Sequence, residues 1–287
     1  ERKYAFFQKH LKTPGSSTDE PVEFLTPKEL AVTETGQILT SHNGKSIFQI
    51  NKKNAEKHLI ALEDRRESTI HYTESIIPTI KQLTGFKYPT NSADPVFTGR
   101  YDRGDYQVEK YFINAAGKYK IPYLLFQPNH TNRKLPAILY LHPGGKATQA
   151  KPGGEIEAMV EKGYAVLAPD LVGIGELGPS GSPFQFKIFE GSYKIWYLGI
   201  QVGKSMVGAQ VADIMLLIHV LKNRTGIQTD QIFGVARGNL CSTLLHAAAF
   251  ENDIAKIALI HPLLSFQSIV MHKYYEPQFI PATVPGS

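Results

Sequence analysis

The stretch that most constrains this chain is a short apolar run, Ile232-Phe233, that enters Gly234-Val235-Ala236-Arg237-Gly238 and leaves as an alanine- and leucine-rich segment, Leu240 to Ala249. An apolar run, a sharp turn and a helix, in that order, form the elbow that lifts a nucleophile above a sheet edge. Glycines at 234 and 238 suit such a turn, because strand and helix must pass close together around it. The central residue is Ala236, whose methyl group carries no nucleophilic atom. The spacing predicts a strained turn at Ala236 from which the nucleophile is missing.

Around this turn, short apolar runs alternate with helical stretches. Pro136 to Leu141, Tyr164 to Ala168, Ile232 to Ala236 and Ile257 to Ile260 read as buried strands. Ile156 to Lys162, closed by Gly163, and the long apolar stretch Met206 to Asn223 read as helices. That alternation is the signature of an α/β fold built on a mostly parallel sheet with helices on both faces. Upstream, Val96 to Thr98, Tyr106 to Ile113 and Tyr119 to Phe126 alternate with period two and add antiparallel strands, with a turn at Asn114 to Gly117. The N-terminal third reads differently. Tyr4 to Leu11 is a short amphipathic helix, and Lys12 to Pro27 is a linker. Ala31 to Thr33 and Gly36 to Leu39 are short extended pieces. Asn51 to Ser68 and Ile76 to Leu83 are helices, the second with Pro78 in its first turn. The expected organisation is a tail helix and linker over 1–27, a helical, loop-rich arm over 28–94, and the α/β domain over 95–287.

Composition narrows the partners. With 287 residues and 42% hydrophobic content the chain can bury a sizeable core. The net charge of +5 comes from 31 basic and 26 acidic residues without a run of five like charges, a mixed solvated surface rather than a nucleic-acid interface. A single cysteine, Cys241, leaves no internal disulfide and no cysteine-clustered metal site, so neither metal nor cofactor is expected. Apolar runs fall short of the roughly 18 residues of a membrane span, and the opening Glu1-Arg2-Lys3 carries no signal-peptide pattern. Gly173-Ile174-Gly175 lacks the third glycine of a dinucleotide fingerprint. In Gly203-Lys204-Ser205 the lysine is misplaced for a phosphate loop, and Ser205 caps the long helix.

The candidate site residues gather at strand ends, where open α/β sheets place their ligands. His142-Pro143-Gly144-Gly145 follows the first buried strand, and its small residues suit backbone N–H groups that face a developing oxyanion. Asp170 and Glu176 follow the next strand; they are candidates for acid–base work, or hold their loop through backbone hydrogen bonds. His261 ends the last strand at the same edge, and Arg237 inside the turn completes the pocket set. His246, mid-helix among alanines, and Cys241 read as structural.

Taken together, Leu139 to Gly145, Gly163 to Asp170, Gly173 to Glu176 and Gly234 to Gly238 resemble the α/β-hydrolase superfamily from about Phe97 to Ser265. The closer resemblance is to serine esterases among bacterial carbohydrate esterases, of the acetyl xylan esterase and dienelactone-hydrolase-like group. The resemblance implies a periplasmic or secreted location and an acylated polysaccharide or oligosaccharide as ligand. It also implies a tandem arrangement, in which Tyr4 to Leu11 ends an upstream hydrolase module. The family's Ser is replaced by Ala236, and its later strands, with the acid and histidine, have no counterpart before Ser287. Three functions stay open: an esterase-type module without a nucleophile, an ester hydrolase completed by another chain or an unusual nucleophile, and a non-enzymatic glycan-binding or scaffold protein.

Overall fold

The computed structural model describes residues 1–68, 72–90, 94–115, 119–129, 133–178 and 192–286. The chain divides into two compact units, Glu1–Asn54 and Ala55–Ser287. The first holds α1 (Arg2–Leu11), the single turn α2 (Ile38–Ser41) and the start of α3 (Ile47–Ser68), and none of its residues is buried. The extended pieces expected over Ala31 to Leu39 are turns and α2 instead. There the Thr35 hydroxyl bonds the side chain of Ser41 and the Gln37 carbonyl, and local side-chain bonds of this kind favour turns over strands.

In the second unit, α4 (Tyr72–Thr84) begins before Ile76, so Pro78 lies inside the helix rather than in its first turn. A proline there removes one backbone bond and typically costs about 3 kcal/mol. Ile77, Ile80 and Leu83 of the same helix pack onto the core and offset that loss. Seven strands form one sheet in the order β1-β2-β3-β5-β4-β6-β7. β1 (Val96–Asp102), β2 (Tyr106–Asn114) and β3 (Lys120–Pro128) run antiparallel to their neighbours. β4 (Leu135–Leu141), β5 (Ala165–Pro169), β6 (Ile227–Arg237) and β7 (Lys256–Ile260) run parallel to one another. The turn expected at Ala116 and Gly117 lies outside the described residues.

Successive residues of a strand face opposite sides of the sheet, so each strand feeds two cores. Leu125, Leu139, Leu167 and Ile232 join one cluster with α7 (Met206–Asn223) and α8 (Leu240–Phe250). Phe126, Ile138, Tyr140 and Val166 join the other with α5 (Glu155–Glu161). Two elements stand apart from these layers, α6 (Ser192–Gln201), which packs on α7, and the short α9 (Gln267–Met271). β4 and β5 are almost wholly buried, as strands covered on both faces must be. α7 starts where expected, with the Ser205 hydroxyl accepting from the Gly208 N–H at 2.9 Å. By length and mean hydropathy of 1.2 α7 is apolar enough to cross a membrane, although no such stretch was expected; 72% of it is buried inside the fold.

One polar network runs through this packing. The Tyr119 hydroxyl donates to Asp213 Oδ1 at 2.5 Å, and the Val172 N–H donates to Asp213 Oδ2 at 3.2 Å. Gln210 Nε2 donates to the Val172 carbonyl at 3.0 Å, and Gln210 Oε1 accepts from the Thr243 hydroxyl at 2.9 Å. The loop after β5 is thereby pinned to α7. Burial pushes the Asp213 carboxyl up to about 7, against the two hydrogen bonds that favour its charge. Between about pH 4 and pH 7 the folded chain keeps a proton that the unfolded chain has lost, so this group lowers stability as pH rises through that window. Urea unfolding should show the slope, up to about 1.4 kcal/mol per pH unit, and Asp213→Asn should flatten it. An unchanged slope in the variant would assign the effect to another group.

Candidate functional site

Three strand ends meet at the carboxyl edge of the sheet. Leu141 at the end of β4 pairs with Ala236, and Arg237 at the end of β6 pairs with Ile260 at the end of β7. Their loops surround a cavity of about 500 Å³. His142 and Pro143 come from the β4 loop, Arg237 and Gly238 from β6, His261 and Pro262 from β7, and Glu276, Gln278 and Phe279 from the segment that enters a 3-10 turn at Pro277–Ala282.

Ala236 is not the turn. It is fully buried inside β6, paired on both sides, and belongs to the core cluster that contains Leu244 of α8. Its expected strain is absent, because its φ is not positive. The left-handed residue is Gly238, with φ of 55°. Its N–H donates to the Ile260 carbonyl at 3.0 Å, and its own carbonyl accepts from the Cys241 N–H at 3.1 Å in the first turn of α8. A Cβ at 238 would lie 3.7 Å from Pro143 Cγ and 3.9 Å from Gln278 Oε1, ordinary contact distances at the cavity floor. Gly234 has a different task. A Cβ there would fall 2.7 Å from Leu244 Cδ1, so this glycine lets α8 lie close over β6.

The side chains around the cavity form a linked set. The Arg237 guanidinium holds Glu155 of α5 with two contacts, Nε to Oε2 at 3.2 Å and Nη2 to Oε1, and the Tyr140 hydroxyl donates to Glu155 Oε2 at 2.7 Å. Burial pushes the Glu155 carboxyl up, but its bonds from Tyr140 and Arg237 outweigh that and hold it below the usual carboxylate range. The His142 ring stacks on Tyr140 at 6.4 Å. Burial lowers its pKa, the Arg237 charge lowers it further, and Glu155 opposes both. Neutral His142 accepts the Gly144 N–H at Nδ1, 3.0 Å away, which leaves its proton on Nε2.

That bond corrects the expectation for the β4 loop. The Gly144 N–H points to His142, and the Gly145 N–H donates to the His142 carbonyl at 2.9 Å, so neither is aimed over the turn. Asp170 and Glu176 stand beside the cavity rather than on its wall. Buried Asp170 accepts from the Lys146 N–H at 2.7 Å, the Lys146 ammonium at 2.5 Å and the Glu176 N–H at 2.9 Å, and Lys146 also contacts the Glu176 carboxylate. This is the loop-holding alternative for Asp170. His261 lines the cavity, exposed and with φ of 53°. His246 Nδ1 lies 2.7 Å from the Ser242 carbonyl, and the Cys241 thiol lies 3.2 Å from the Ala236 carbonyl; both are held inside the packing. Among the described residues no group of three or more His, Cys, Asp or Glu is placed to hold a metal ion.

No family model matches the sequence, and no curated protein matches it. Solved structures do match. One is a Bacteroides fragilis NCTC 9343 protein assigned as an acetyl xylan esterase, with a TM-score of 0.57 at 17% identity over 81% of this chain and 64% of that one. Another is an acetyl xylan esterase from Paenibacillus sp. R4, with a TM-score of 0.53 at 16% identity over 74% and 66%. The fold is the α/β-hydrolase fold of these esterases. The chain spans just under two thirds of the length of either structure. In an α/β-hydrolase the strand-to-helix turn marks the reactive position, and here Gly238 occupies that turn, two residues beyond the centre of the sequence pattern. Pro143, from the expected His142 to Gly145 loop, also lines the wall, and Pro262, Glu276, Gln278 and Phe279 complete it without a motif to announce them. The shift to Gly238 had one available signal, since the turn must abut the helix and Leu240 starts α8 two residues after Gly238.

Acid should open the His142 bond, because a ring protonated at Nδ1 no longer accepts the Gly144 N–H. In an NMR titration the His142 ring should titrate below the ordinary value near 6.5, and the Gly144 amide shift should move with the same midpoint. A Gly144 amide that ignores the His142 titration would contradict the bond.

Proposed function

We propose that this chain is an esterase-type α/β-hydrolase module that binds an acylated plant polysaccharide without hydrolysing it, as part of a larger carbohydrate-active protein. The observation that carries the reading is Gly238, a residue without a side chain at the strand-to-helix turn. Acyl transfer by this fold needs an activated nucleophile at that turn. None of the residues lining the cavity carries a hydroxyl or a thiol. The nearest thiol, Cys241, is buried, and burial pushes its pKa up, away from thiolate. The Gly144 and Gly145 donors are taken up inside their own loop. Two basic rings, His142 and His261, stand at the cavity with nothing to deprotonate.

The ligand class comes from the solved structures, whose names give acetyl xylan as what those proteins act on. What supports carrying it over is the cavity itself, at the carboxyl edge of the parallel strands and large enough for a substituted sugar. A second hydrolase module or chain would supply any cleavage.

Purified chain should bind acetylated xylan and release acetate no faster than about 10³-fold above water, the level left to this chemistry without a working triad. A serine-directed fluorophosphonate should not label it. Gly238→Ser alone should not bring strong turnover, since among the described residues neither His142 nor His261 is hydrogen-bonded to a carboxylate that would complete a relay, and His142 Nδ1 already accepts the Gly144 N–H. Release of acetate at several per second with labelling of the unmodified chain would place a nucleophile elsewhere and overturn the reading.

A further inference from the structure

We infer that the chain carries a second sugar-binding site at the other end of α8, so that a polysaccharide is held at two places. The kind of sugar polymer rests on the reading above; the site itself uses none of the edge cavity. α8 leaves the turn beside Gly238 and ends at Phe250, about 16 Å away at 1.5 Å per residue. There a cavity of about 430 Å³ opens between the last turns of α7, the residues that follow α8, and Tyr88. Met215, Leu216 and Ile218 of α7, all buried, give it an apolar side. His219 and Lys222 of α7, with Glu251 and Asp253, give it a polar one.

Tyr88 supplies a flat platform that is already in place. Its hydroxyl donates to the Phe250 carbonyl at 2.7 Å, the Phe86 ring meets it edge-on at 4.9 Å, and the Lys81 ammonium stands 5.0 Å from its centroid. The residue is nevertheless 49% exposed. A side chain fixed before binding has little freedom left to lose. Its negative ring face suits the weakly positive C–H face of a sugar. Charge narrows the ligand class further. Lys222 Nζ meets Asp253 Oδ1 at 2.5 Å, and Lys81 and Glu251 add one charge of each sign, so the formal charges around the cavity cancel. An anionic ligand finds no net positive charge there, and a purely apolar one would desolvate two carboxylates without pairing them. A neutral, hydroxyl-rich ligand fits both sides. Its hydroxyls can donate to Glu251 and Asp253 and accept from Lys222. With Asn223 Nδ2 donating to His219 Nε2 at 2.6 Å, the neutral ring carries its proton on Nδ1, a further donor. A polymer that engages both cavities binds more tightly than either alone holds it, because the second contact forms at high effective concentration.

The experiment titrates acetylated xylohexaose into the full isotope-labelled chain and follows backbone amides by NMR. The amides of Leu216 and Glu251 report the second cavity, and those of His142 and Gly238 report the edge cavity. Both sets should shift. Shifts confined to the edge set overturn the inference and leave the binding reading standing. Shifts confined to the second set support the inference and overturn binding at the edge; shifts in neither overturn both. Tyr88→Ala should abolish the second set alone and weaken retention of the chain on acetylated xylan at least about fivefold. Tyr88→Phe, which keeps the ring, should restore both. Thermal unfolding checks that the variants are folded. Should Tyr88→Ala fail to fold, His219→Ala, at an exposed helical position, should weaken the same shifts and the same retention. A folded Tyr88→Ala or His219→Ala variant with unchanged shifts at Leu216 and Glu251, or with unchanged retention, overturns the inference.

Discussion

Everything at the functional edge depends on a left-handed turn that joins β6 to α8 in two residues. β6 lies between β4 and β7, and α8 must fold back across it at once. Gly238 makes the reversal at φ of 55°, tied to β7 through the Ile260 carbonyl and to α8 through the Cys241 N–H. An ordinary L-residue in that conformation costs roughly 1–2 kcal/mol. Enzymes of this fold accept such strain to present a nucleophile. Here glycine removes the strain and the side chain together. The relaxed turn and the reactive-group-free cavity floor are therefore one fact seen twice.

Two charged clusters hold the loops that this turn brings together. Arg237 reaches Glu155, and through it Tyr140, which carries the His142 ring on its face. Asp170, buried, gathers the Lys146 backbone and ammonium and the Glu176 backbone. Exposed ion pairs contribute little to stability, but Asp170 is not exposed. A buried carboxylate with three donors is costly to leave unpaired. Its task is to fix the loops after β4 and β5 beside one another. Both clusters consume groups that sequence patterns mark for chemistry and turn them into supports.

The sheet was legible in the sequence because period-two and continuous apolar runs report burial directly. β4, β5, β7 and α7 fall where their patterns place them, and Ser205 caps α7 as its side chain allows. The turn was misplaced by two residues for a physical reason. Gly234 and Gly238 look alike in a spacing pattern, yet one makes room for Leu244 and the other adopts a left-handed φ. The Gly144 and Gly145 donors looked free because sequence does not show that the His142 ring folds back onto its own loop. Glu276, Gln278 and Phe279 were invisible, since they reach the cavity only through the path of an irregular segment.

The most direct test of the relocated turn is thiol labelling of two single variants, Gly238→Cys and Ala236→Cys, in the folded chain. Cys241 is buried and serves as the unreactive internal reference. The cysteine at 238 should react rapidly with a small aromatic disulfide, because that position opens into the cavity, while the cysteine at 236 should react only on unfolding. Rapid labelling at 236 with protection at 238 would return the turn to the centre of the sequence pattern and contradict the account.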